Sequence, residues 1–184
     1  MALWRIRATV DDRPGFLAVL AASLALRSVN ILSVQVHATE AGAVDDFLVD
    51  APEALSEAEL LAAVVKGRGR EPWIRRADAD GLRDTPTLMI SLATRLVGGA
   101  DLPAALATLL GEVLVTTTSR SPDGTGPAGG RAGGFAAHVM LLPAPDGAIL
   151  EVRRLEPPFT PAEYARACAL VELATAVARQ VPSS

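Results

Sequence analysis

Trp4, Ile6, Ala8 and Val10 occupy every second position of the first ten residues, with Arg5, Arg7 and Thr9 between them, and this period of two predicts a half-buried strand. The polar run Asp11-Asp12-Arg13-Pro14-Gly15 breaks the pattern. An apolar stretch to Leu26 follows, and Phe16, Leu17, Val19, Leu20 and Leu24 recur there at helical spacing, predicting a helix over about 15–28. From Asn30 to His37 alternation returns: Leu32, Val34 and Val36 share one face, Ser33, Gln35 and His37 the other. Ala41-Gly42 marks a turn. Ala43 to Asp50 reads as a third strand, with Phe47 and Val49 inward and Asp46 and Asp50 outward. Ser56 and Glu59 have capping-box spacing and start a helix to about Lys66, which Gly67 and Gly69 end. Arg70 to Ala77 supplies a last strand. This order predicts a two-layer α/β sandwich with both helices on one face of the sheet. Arg5, Arg7, Thr9, Ser33, Gln35, His37 and Asp46 fall on the helix-free face, which is either solvated or covered by a partner or by the second half of the chain.

Residues 78–86 are polar and charged, which places a linker over 80–84 between a first domain (1–79) and a second (85–184). The second half predicts a helix over 87–96, another capped by Asp101, and a β-branched strand over 113–118. A Gly/Pro/Ser-rich loop follows over 119–134, and strands over 135–142 and 148–154 flank a hairpin connection. Thr160, Pro161 and Glu163 open a closing helix to about Arg179.

The turn after the first strand is the best candidate for chemistry. Asp11 and Asp12 can cap the backbone amides of the following helix, Pro14 fits its first turn, and Gly15 lets another group approach the backbone. Several N–H groups and the positive end of a helix dipole then point into one crevice, which suits a small carboxylate. The plain structural reading is a helix cap at Asp12 and a left-handed or turn residue at Asn30.

Asp-x-Pro-Gly between strand and helix, with Asn30-Ile31 opening the second strand, resembles the ACT domain over residues 1–79. The resemblance implies a ferredoxin-like βαββαβ regulatory module that binds amino acids at an interface between paired copies. It implies a ligand site at Asp11, Asp12, Arg13, Pro14, Gly15, Phe16, Asn30 and Ile31. Amides around Arg13 to Phe16 would take an α-carboxylate, and Asp12 or Asn30 the α-ammonium. Whether Asp11 or Asp12 faces the crevice stays open. Two helices, an antiparallel sheet and a closing helix introduced by Phe159-Thr160-Pro161-Ala162-Glu163 resemble a shortened GAF domain over 85–181, giving an overall α/β (α+β) class.

Composition narrows the partners. No apolar run reaches the roughly eighteen residues of a membrane span, and Met1 to Arg5 lead into a strand without a signal-peptide core. Cys168 is the only cysteine, so no intrachain disulfide can form, which suits a reducing cytoplasm. A net charge of −4 argues against a general nucleic-acid binder. His37 and His138 have no ligand-spaced partners, so neither a metal nor a cofactor is expected. Gly124-Thr125-Gly126-Pro127-Ala128-Gly129 matches a dinucleotide fingerprint in letters alone, since Pro127 and the later glycines prevent the helix it must open. No nucleophile elbow or spaced carboxylate pair is present, Cys168 reads as a small buried hydrophobe, and Arg75, Arg76, Arg153 and Arg154 read as solvated strand ends. A non-catalytic, homodimeric amino-acid sensor acting on a regulated protein partner is the expectation. A dimerisation module without a ligand is the alternative.

Overall fold

A computed structural model of the chain describes residues 1–39, 42–77, 85–118 and 133–180. The expected linker over 80–84 and the glycine fingerprint over 124–129 lie outside these residues, as does most of the loop over 119–134. Two compact units divide the chain, Met1–Arg83 and Asp84–Ser184. Together their described residues form a mixed α/β protein with two antiparallel sheets and five helices.

The first unit runs β1 (Ala2–Val10), α1 (Phe16–Ala25), β2 (Asn30–Thr39), β3 (Gly42–Ala51), α2 (Glu57–Lys66) and β4 (Arg70–Arg76). Its antiparallel sheet has the order β2-β3-β1-β4, the ferredoxin-like arrangement. β1 is a central strand, and its apolar set Ala2, Trp4, Ile6, Ala8 and Val10 is buried with Phe47, Val49, Leu20, Leu24 and Leu60. Arg7 and Thr9 on its other face are buried too, so β1 is not half-buried as its alternation predicts. An interior strand has neighbours along both edges, and Arg7 is paired with Asp46.

β2 departs in the opposite sense. Leu32, Val34 and Val36 are 43%, 40% and 52% exposed, because β2 is an edge strand with no neighbour on its outer side. A bulge between Ile31 and Ser33 shifts the register, after which Val34 lies opposite Phe47 and Val36 opposite Asp45. Alternation identifies which residues share a face, not whether that face is covered.

The first helix is shorter than its apolar run. It buries Leu20, Ser23 and Leu24 but leaves Leu17 and Val19 partly exposed, and it ends at Ala25. The left-handed residue after it is Ser28 (φ 58°), not Asn30, which is the first residue of β2. Ser56 and Glu59 form the expected capping box on α2, with the Glu59 amide donating to Ser56 Oγ and the Ser56 amide to Glu59 Oε2.

The second unit runs α3 (Thr85–Val97), α4 (Leu102–Leu110), β5 (Leu114–Thr118), β6 (Gly134–Ala136), β7 (Val139–Pro143), β8 (Ile149–Arg153) and α5 (Pro161–Gln180). Its sheet has the order β5-β8-β7-β6, and Leu92, Leu106, Met140, Leu142, Val152 and Leu170 form the centre of its core. The single strand expected over 135–142 is broken into β6 and β7 by a tight turn at Ala137 and His138, so His138 is exposed in a turn. Cys168 is half-buried at the core margin rather than fully buried. Arg154 is not a solvated strand end. Its guanidinium is buried, donates to both Glu163 oxygens and to the carbonyls of Leu110, Pro157 and Pro158, and lies over the Phe159 ring at 4.2 Å. Glu163 also accepts from the Thr160 amide, so one carboxylate completes both an ion pair and a helix cap. Arg76 stacks over the Trp4 ring at 4.4 Å and pairs with Glu53.

Candidate functional site

The turn from Asp11 to Gly15 leaves β1 and starts α1. Gly15 is the N-cap with φ 94°, a left-handed conformation that glycine adopts without steric cost, and no side chain caps the helix. The expectation that Asp11 or Asp12 caps α1 is therefore corrected. Asp11 turns instead to Arg70 on β4, whose Nη1 donates at 2.5 Å, and that bond holds the Asp11 carboxyl below the usual range. Pro14 precedes the N-cap and is not in the first helical turn.

The amides available to an anion also differ from expectation. Arg13 N–H donates to the Asp11 carbonyl and Phe16 N–H to the Arg13 carbonyl, while Pro14 has no N–H. From Arg13 to Ala18, Gly15, Leu17 and Ala18 remain as the amides without a backbone partner. Leu17 and Ala18 lie in the first helical turn, where a helix cannot satisfy its own donors. A Cβ built on Gly15 meets nothing within 4 Å, so the space beside it is open. Phe16 packs against the core, with the Arg68 guanidinium 5.7 Å from its ring.

Asn30 and Ile31 are not part of this crevice within one copy. Asn30 pairs with Asp50, which faces Leu3 at the start of β1, whereas the turn follows Val10, which faces Ala43. Asp50 and Ala43 are seven residues apart on β3, or about 23 Å at about 3.3 Å per residue. One small ligand cannot touch both ends. The sequence order places these residues after consecutive elements, but an antiparallel sheet sends them to opposite ends.

Charge on the sheet is sorted by face. Asp46, on the helix-free face, accepts from Arg5 Nε and Nη2 at 3.0 and 2.9 Å and from Arg7 Nη2 at 2.6 Å. Burial pushes the Asp46 carboxyl up, but the two guanidiniums together outweigh it and leave it below its ordinary value. The centre of this face is buried at Arg7, Thr9 and Asp46, so the solvated reading does not hold there. Asp45 points to the helix-covered face and was missed from sequence. Phe47 and Val49 mark the inward register of β3, and Asp45 shares it, so the signal was present.

Among the described residues no group of three His, Cys, Asp or Glu side chains is placed to hold a metal ion, and no helix is long and apolar enough to cross a membrane.

No family model matches the chain, and no curated protein sequence matches it. Solved structures to which the chain is similar include the ligand-free regulatory subunit of aspartate kinase from Thermus thermophilus, 13% identical, with 94% of this chain and 92% of that one covered at a TM-score of 0.36. A protein of unknown function from Galdieria sulphuraria is 13% identical over 94% and 91%, at a TM-score of 0.39. A formyltetrahydrofolate deformylase from Pseudomonas putida KT2440 is 11% identical over 41% of this chain, at a TM-score of 0.34, and the match spans 28% of that enzyme.

Proposed function

We propose that the chain is a non-catalytic regulatory protein whose first unit, an ACT-like module, binds an amino acid or similar small carboxylate where two copies meet. In this reading residues 85–184 form a reduced GAF-like module, and ligand occupancy is passed to a regulated protein partner in the cytoplasm. The observation that carries it is the separation of the two half-sites by an open edge. The turn with its free amides lies at one end of the sheet and Asn30 at the other, and β2, which runs between these ends, exposes Leu32, Val34 and Val36. A two-fold axis that pairs two β2 edges antiparallel brings Asn30 of the partner subunit to the turn's end of the joined sheet. The pairing also covers an edge that otherwise offers unpaired backbone groups to other chains.

Such a site couples ligand to assembly. The ligand favours the paired state only by its greater affinity for that state. The test is calorimetric titration with a panel of the twenty common amino acids, run beside mass measurement by light scattering. Binding of at least one amino acid together with a tighter dimer is the expected outcome. A folded dimer that ignores the whole panel would defeat the sensor reading and leave a ligand-free dimerisation module.

A further inference from the structure

Asp45 is fully buried, and neither of its carboxylate oxygens has a hydrogen-bond partner. Its cross-strand neighbours are Ala8 on β1 and Val36 on β2, and Ala43 and Phe47 share its face on β3. None of these can compensate a charge. Of the helices on this side of the sheet, α1 carries no charged residue, and the charged residues of α2, Glu57, Glu59 and Lys66, are all exposed. Burial is accordingly the one influence on the group and pushes its carboxyl up to about 6. Folded proteins seldom leave a carboxylate in this state, since an unpaired buried charge is among the most expensive features a core can contain.

Its position gives the feature a direction. Asp45 lies two residues in from Ala43, at the end of the sheet where Val10 gives way to the α1 turn. Ala8, on one side, contributes only a methyl group. Val36, on the other, belongs to the edge strand and is half exposed, so a single strand separates the carboxylate from open solvent. The same end of the unit holds the free amides of Gly15, Leu17 and Ala18. A buried anion and an uncapped helix start thus occupy one end of one layer, with opposite electrical character.

We propose that Asp45 is the receptor for the cationic group of the ligand, an ammonium that enters between the β2 edge and the start of α1 while the ligand's carboxylate meets the α1 amides. The inference rests on the sensor reading and deepens it. It replaces Asp12 and Asn30 as the ammonium partners within one copy, and it restricts the ligand to zwitterions over plain carboxylic acids. An ammonium brings up to three donors to oxygens that have none, so binding gives the unpaired buried carboxylate a cation and holds it ionised. Below pH 6 the site must therefore release a proton as the ligand binds.

The experiment compares the full chain with Asp45→Asn in calorimetric titrations. Probes are the twenty amino acids, the matched acids lacking the amino group (propionate for alanine), and methylammonium. For an amino acid that binds the wild type, Asp45→Asn should weaken affinity by roughly 10- to 100-fold, the worth of a charge-assisted contact. The deaminated acid should bind both proteins equally. Wild-type affinity should fall from pH 7 to pH 5 with proton release, seen in buffers of different ionisation enthalpy, and the variant should show neither. Equal amino-acid affinity in wild type and variant overturns the role of Asp45 and leaves the sensor reading standing. If no amino acid binds but methylammonium raises the melting temperature of the wild type and not of Asp45→Asn, the cation site stands and the amino-acid reading falls. Silence from methylammonium as well overturns both. Should Asp45→Asn fail to fold, Asp45→Ala is measured in its place.

Discussion

Asp45 and Asp46 are consecutive residues with opposite fates, because a strand turns successive side chains to opposite faces. Asp46 meets two guanidiniums on the helix-free face; Asp45 meets the apolar layer. For Asp45 the sign of the pH effect follows from its raised carboxyl. The folded protein holds the proton more tightly than the unfolded chain, so the stability linked to it is fully present below about pH 4 and is lost as pH rises to about 6. The loss amounts to about 3 kcal/mol. Asp45→Asn should remove this dependence and raise stability at pH 7 by an amount of that order, measured by urea unfolding followed through tryptophan fluorescence. Both tryptophans, Trp4 and Trp73, lie in the first unit, so the signal reports on it alone. A variant whose midpoint at pH 7 matches the wild type would show that the carboxylate is hydrated in solution. At Arg154 the sign is reversed. Arg154→Ala leaves Glu163 buried without its cation, and about 3–5 kcal/mol of second-unit stability should disappear, seen by circular dichroism with the tryptophan transition unmoved. The sequence shows Arg153-Arg154 as a basic pair at a strand end, and nothing in that pair says which guanidinium turns inward.

Elements were more legible than their surroundings. Strand and helix order, the Ser56 and Thr160 caps and the glycine stops follow from local chemistry, which a sequence displays directly. Burial of β1 and exposure of β2 depend on sheet order, a non-local property, so equal alternation in the two strands led to opposite outcomes. The candidate site divides along the same line. The turn at Asp11 to Gly15 is local and is where it was expected, whereas its junction with Asn30 needed the strand direction. Gly67 shows how closely one element constrains another. A Cβ there would come within 2.8 Å of Leu20 Cδ1 and 2.9 Å of Leu20 Cα, and beside it Ser23 Oγ donates to the Ala63 carbonyl at 2.7 Å. Gly67→Ala must therefore push α1 from the end of α2, and backbone contact leaves no cheap relief. A loss of about 1–3 kcal/mol is expected in the tryptophan-monitored transition. An unchanged midpoint would mean that α1 shifts without strain.

At the scale of the whole molecule, a site shared between two copies makes ligand affinity depend on protein concentration. In the proposed site one copy presents the turn and Asp45 and the partner presents the far end of its β2, so a monomer would hold only part of the binding surface. Apparent affinity should therefore rise as the protein is concentrated through its dimer dissociation constant and then level off. Val34→Lys is the discriminating variant. Val34 is 40% exposed on the edge strand, so lysine can keep its ammonium in water in the monomer, yet two copies paired along β2 would face one charge with another. The variant should keep the wild-type tryptophan transition within about 0.5 kcal/mol, lose the dimer by light scattering, and lose concentration-dependent binding with it. Retention of full affinity by a monomeric Val34→Lys protein would place the entire site in one copy and remove the need for a partner. Loss of affinity in a variant that stays dimeric would put the contact elsewhere and make the β2 edge part of the pocket wall.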